Sequence, residues 1–113
     1  MGAEALKGHL DGLLLATLEA APMHGYAVIE VLRAGSAGTF NLPTGTVYPA
    51  LHRLERVGLV ASTWSESSGR KRRTYKLTAA GRRALTEQRT EWRQFSVAVQ
   101  SVLNGRGAWA PAT

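Results

Sequence analysis

Cysteine is absent from this 113-residue chain. That excludes a disulfide framework and any cysteine-ligated zinc or iron–sulfur centre. Long apolar runs are missing too: the longest, Leu13–Ala16, is far below the ~20 residues that a bilayer-spanning helix needs. No basic segment followed by an apolar one opens the chain, so no secretory leader is expected and the expected compartment is cytoplasmic. His9, His24 and His52 lack the spacing and the neighbouring thiols of a metal site. The glycines at 35, 38 and 45 have neither the spacing nor the following lysine of a phosphate loop. Glu4, Asp11, Glu19 and Glu30 form no paired-carboxylate pattern, and no nucleophile–base signature is present. Neither an enzyme nor a cofactor-binding protein is expected.

What the chain does carry is positive charge. Lys and Arg number 14 against 8 Asp and Glu, for a formal charge of +6. A balance of this sign favours an anionic partner. The charge is concentrated: Arg70, Lys71, Arg72, Arg73, Lys76, Arg82 and Arg83 lie in one segment with no acid between them. Residues 1–32 are weakly acidic, with Glu4, Asp11, Glu19 and Glu30 against Lys7. At this length a single domain is expected, with 44% hydrophobic residues supplying one modest core.

Periodicity predicts a first helix over Leu6–Ala21, with Leu10, Leu13, Leu14 and Leu18 on one face and Pro22 ending it. Tyr26, Ile29 and Leu32 predict a second over Gly25–Arg33, followed by a Gly-rich loop to Pro43. A third helix begins near Thr44, with Thr44 or Thr46 as its N-cap. At about 100° per residue, Val47, Leu51, Leu54 and Gly58 form its buried stripe. The opposite face holds Gly45, Thr46, Pro49, His52, Arg53 and Arg56, with Tyr48 on the flank. Pro49 belongs in or near the first turn, where its missing N–H does least harm. Leu59–Glu66 and Lys71–Leu77 then read as two strands around the turn Ser67-Ser68-Gly69-Arg70. Thr78 caps a long last helix that runs to about Asn104.

Helices followed by a basic-tipped hairpin make a mainly α fold with a small β-hairpin: a winged helix-turn-helix plus a long C-terminal helix. The expected organisation is a winged-helix domain over 6–77, a dimerisation helix over 78–104 and a flexible tail over 105–113. A helix with one buried face and one face of Thr, His and Arg fits the major groove of double-stranded DNA. Thr44, Thr46, His52, Arg53 and Arg56 are its candidate contacts; His52 either touches DNA or is merely exposed. The hairpin tip would lay Arg70, Lys71, Arg72 and Arg73 on phosphates or in the minor groove. Arg82 and Arg83 start the last helix, where the macrodipole disfavours cations; a nearby anion would explain them. The other reading is a winged-helix protein-interaction module without specific DNA binding.

The stretch Pro22-Met23-His24-Gly25-Tyr26, then Thr44-Gly45-Thr46-Val47-Tyr48-Pro49 through Gly58-Leu59-Val60, resembles the PadR family of bacterial transcriptional regulators. Gly69-Arg70, the Lys71–Tyr75 stretch and Leu77-Thr78-Ala79-Ala80-Gly81-Arg82 continue the likeness, which covers residues 6 to about 103. Val47 stands where leucine is more usual, and the C-terminal region is short. The resemblance implies a homodimeric repressor on a palindromic operator. It also implies that Thr46 and Tyr48 lie close to DNA and Tyr26 near the phosphate backbone; Tyr26 can equally pack in the core with a wet hydroxyl.

Leu85, Trp92, Phe95, Val99 and Val102 form a heptad seam, with Gln88 its polar exception. It is longer than a small winged-helix core can cover, which points to a two-fold homodimer. The expected interface comprises that seam with Leu10 and Leu14 of the first helix. In some PadR-like proteins interfacial aromatics enclose flat hydrophobic effectors. The resemblance therefore makes Leu13, Trp92 and Phe95 candidate contacts for a small aromatic or hydrophobic effector, with ligand-free packing the alternative. Trp64 is expected to anchor the wing.

Overall fold

In the computed structural model, which describes residues 6 and 8–105, four helices surround a small sheet. The elements are α1 (Leu10–Ala20), β1 (Met23–His24), α2 (Gly25–Gly35), α3 (Thr44–Arg56), β2 (Val60–Ser67), β3 (Arg70–Leu77) and α4 (Ala79–Leu103). The sheet is antiparallel with strand order β1-β3-β2. Residues 106–113, most of the expected tail and with them Trp109, lie outside the described residues.

The core forms where α1, α2 and α3 meet the inner face of the sheet. Leu14, Leu15 and Leu18 of α1 pack with Val28 and Leu32 of α2, Val47, Leu51 and Leu54 of α3, and Val60, Tyr75 and Leu77 of the strands. Each such aliphatic side chain contributes roughly 1.5–3 kcal/mol on burial. α1 begins at Leu10 rather than Leu6; Leu6 is buried in a single turn ahead of it.

α3 starts with a correction. Pro43 is its N-cap and neither Thr44 nor Thr46 caps it; the N–H groups of Thr46 and Val47 go to the Pro43 carbonyl. Pro49 sits in the second turn, where the proline ring leaves the Gly45 carbonyl without its usual partner. Gly58 departs from the predicted buried stripe: it is exposed at φ +84°, in the left-handed conformation that ends the helix. Thr78 caps α4 as expected, its hydroxyl accepting from the Gly81 N–H at 3.0 Å.

The hairpin turn is the two-residue type that suits a twisted ribbon, with Ser68 at φ 54° and Gly69 at φ 76°. Its register pairs Val60 with Leu77 at the base and Ser67 with Arg70 at the tip. β1 was not expected. Its two residues pair Met23 with Tyr75 and His24 with Thr74, so the chain between α1 and α2 adds a third strand. Two residues are too short to show an alternating pattern.

α4 crosses α1 at close range. A Cβ on Gly12 would lie 2.1 Å from the Gln88 side-chain oxygen, so glycine admits the polar member of the α4 seam. Arg89 then holds Glu19 through two hydrogen bonds of 3.0 and 2.8 Å. Beyond this crossing α4 runs free of the core. The Cα radius of gyration is 17.3 Å, against about 13 Å for a compact 100-residue domain.

Candidate nucleic-acid interface

His24 and Gly25 build the hinge of the site. The His24 Nδ1 accepts from the Ala27 N–H at 3.2 Å and so caps α2. Its Nε2 lies 2.8 Å from an Arg72 guanidinium nitrogen across the β1–β3 pairing. Gly25 is favoured by contact: a Cβ there would come within 2.5 Å of the Tyr48 ring. Glycine thus lets Tyr48, from the second turn of α3, lie against the start of α2.

Between α3 and the hairpin opens a cleft of about 700 Å³, lined by His24, Gly25, Tyr26, Tyr48, His52, Trp64, Tyr75 and the run Arg70–Arg73. No carboxylate belongs to that lining. Tyr26 is 58% exposed, which rules out the core-packing alternative for it. His52 is exposed, its ring 6.4 Å from Tyr75. Burial pushes the Tyr75 phenol above its usual 10.0, with the Arg73 charge opposing. Thr44 and Arg56 are exposed and Thr46 is half-buried.

Besides Arg72, which meets His24, two expected DNA contacts pair with carboxylates of the chain. Arg53 pairs with Asp11 of α1, because the packing of α1 beside α3 brings the two together. Arg73 turns inward, donating to Glu55 at 2.6 Å and to Ser62 at 2.8 Å. Strand alternation places it on the core face with Tyr75 and Leu77, so it ties the hairpin to α3. Arg70 and Lys71 are exposed at the tip. Arg89 holds the Glu19 carboxyl below its usual range, and the Arg82 charge at the start of α4 adds a smaller pull in the same direction.

Sequence reasoning passed over Trp64 and His24 as site residues. Trp64 does not anchor the wing by burial: it is 66% exposed and lines the cleft. The signal was available, since Trp64 alternates with Ser62 toward the same face as Arg73.

Residues 14–87 match the model of the Transcriptional regulator PadR-like family. The chain belongs to that family. Transcriptional regulator Rv3488 of Mycobacterium tuberculosis is 45% identical over 67 residues, 59% of this chain and 60% of that relative's length. A PadR-like regulator of Bacillus cereus superposes with a TM-score of 0.79 at 30% identity, covering 91% of this chain and 99% of that one. A PadR family regulator from Clostridium difficile gives 0.75 at 33% identity, covering 84% and 98%. The PadR-like family is one of regulators, not of enzymes, and its winged-helix fold is the one described above.

The second group of predicted residues lies at the far side of this PadR-like fold. Leu14 and Leu85, expected at a dimer interface, are 0% and 2% exposed within the single chain. They are core residues, closed to a second subunit. Leu10 is partly buried against the same core. Trp92, Phe95, Val99 and Val102 stay exposed along α4, together with Val97 and Leu103. Trp92 and Phe95 stand 5.9 Å apart, and His9 meets the Trp92 ring edge-on at 5.1 Å. Leu13, Trp92 and Phe95 line one open groove of about 1000 Å³ between α1 and α4.

Proposed function

We propose that this PadR-like chain is a sequence-specific double-stranded-DNA-binding regulator that acts as a homodimeric repressor on a palindromic operator. The observation that carries the reading is the cleft beside α3: four consecutive basic residues and four exposed ring-bearing side chains, Tyr26, Tyr48, His52 and Trp64, with no acid in the lining. α3 is the reader, offering Thr44, Thr46, Tyr48, His52 and Arg56 to base edges and sugar–phosphate. Arg70, Lys71 and Arg72 take phosphates, and Tyr26 borders the backbone path. Arg53 and Arg73 position these elements through Asp11 and Glu55.

The exposed apolar end of α4 supports pairing of two chains. In such a dimer Trp92, Phe95, Val99 and Val102 meet the partner, and two-fold symmetry sets two reader helices about one DNA turn apart. The groove holding Leu13, Trp92 and Phe95 suits a flat hydrophobic effector, whose binding would bias the spacing of the readers.

Salt titration of duplex binding tests the reading. Affinity should fall steeply, with a log–log slope of about −0.9 per neutralised phosphate. A flat slope, or no binding to any duplex at low salt, leaves a protein-interaction module as the function.

A further inference from the structure

We propose that Trp64 is a duplex-contacting residue of the wing, its indole lying on the sugar–phosphate backbone beside the phosphates held by the hairpin tip. The inference rests on the DNA-binding reading above and adds an apolar contact to it.

Strand alternation sets the face that Trp64 occupies. Val60, Ser62 and Trp64 of β2 face the same way as Leu77, Tyr75 and Arg73, their partners in β3. From the base outward that face grades from buried Val60, Leu77 and Tyr75, through half-buried Arg73, to exposed Lys71. Trp64 is the last large apolar group on this gradient. It is the largest side chain in the hairpin, yet the core leaves two-thirds of it in water. Among the described residues its indole N–H has no hydrogen-bond acceptor.

The ring is nevertheless held. The Arg73 guanidinium lies 5.8 Å from its centroid and 5.8 Å from that of Tyr75. Arg73 is itself fixed by Glu55 and Ser62. An exposed tryptophan with a fixed orientation has lost little freedom still to lose on binding. Its surroundings select the partner. Arg70, Lys71 and Arg72 share the cleft with it, and an apolar protein surface would have to desolvate those charges. A nucleic-acid backbone offers both halves of the match: anionic phosphates for the cations, and a deoxyribose face with phosphate acceptors for the indole and its N–H. Glu66, cross-strand from Lys71, makes no ion pair among the described residues and is absent from the cleft lining.

The test compares wild type, Trp64→Ala, Trp64→Phe and the double variant Arg70→Ala/Lys71→Ala, using fluorescence anisotropy of a labelled mixed-sequence duplex across a salt series. Trp64→Ala should weaken binding roughly tenfold, toward the low end of aromatic contributions to nucleic-acid contacts, with the salt slope unchanged. Trp64→Phe should recover most of the loss. The double variant should flatten the slope, since it removes charge. Wild-type affinity in Trp64→Ala overturns the proposal while leaving the DNA reading intact. No wild-type binding at low salt overturns both. Should Trp64→Ala melt early, fluorine NMR of the 5-fluorotryptophan-labelled wild-type chain decides. The Trp64 resonance, assigned with Trp64→Phe, should shift as duplex saturates the protein; an unmoved resonance overturns the proposal.

Discussion

Arg73 has four neighbours that fix its role: the Glu55 carboxylate, the Ser62 hydroxyl and the rings of Trp64 and Tyr75. Replacing it with alanine strands a half-buried carboxylate and frees two aromatic side chains. Arg73→Ala should therefore lower stability by about 1–2 kcal/mol, a figure moderated by the partial exposure of the pair. The slope of DNA affinity against salt should stay close to that of wild type. Chemical denaturation and the salt titration together check this; a slope reduced as much as by loss of Lys71 would return Arg73 to the phosphate contacts. Residue identities made Arg73 and Lys71 look alike. Their difference comes from strand register, which seats Arg73 opposite Trp64 and sends Lys71 toward the tip.

Among the elements, α4 is the one whose two ends obey different rules. Its first half is fixed to the core by Leu85, by the Gly12–Gln88 approach and by the Glu19–Arg89 pair. The Arg89 hydrogen bonds hold the Glu19 carboxyl below its usual value. A carboxyl lowered on folding supports the fold above its unfolded pKa and loses that support as pH falls through the folded value. Glu19→Gln should thus leave stability less dependent on pH below about 4.5, the ordinary carboxyl value, when acid unfolding is followed by circular dichroism. Equal acid sensitivity in both proteins would show that the pair does not hold α4.

The second half of α4 carries Trp92, 53% exposed, and Phe95, 57% exposed. Because Trp92 is not core, Trp92→Asp should leave the protomer folded while placing a charge in the proposed dimer seam. Sedimentation should then show monomers with wild-type helicity. A variant that remains dimeric would remove this face from the interface. Leu14 and Leu85 could not serve in such a test. Truncating either opens a cavity in the protomer and should cost about 2–5 kcal/mol. The heptad pattern joined Leu85 to Trp92 in one seam, since periodicity registers polarity and not which neighbour covers each position.

At the scale of the whole molecule, the structure extends 70 Å along its longest axis against 28 and 20 Å across. A helix end that far from its own core has nothing of the same chain to bury against. Under the dimer proposal folding and association are linked, so the melting temperature should rise with protein concentration. A melting temperature independent of concentration would set the dimer aside as a stabilising assembly.

The sequence by itself determined the four helices, the hairpin and the family. Helical spacing, the Ser68-Gly69 turn and the Thr78 cap are local signals, set by backbone sterics and short-range hydrogen bonds. The motif from Thr44 to Val60 carried the PadR-like identity, and the basic run marked one end of the cleft. Only the tertiary structure decided which of those charges face outward. Arg53 meets an acid 42 residues away and Arg73 one 18 residues away, and no local pattern encodes partners at such separations. It also decided β1, whose pairing with β3 needs the hairpin already in place, and the exposure of Trp64. Burial depends on what packs overhead, and that is a property of the assembled core.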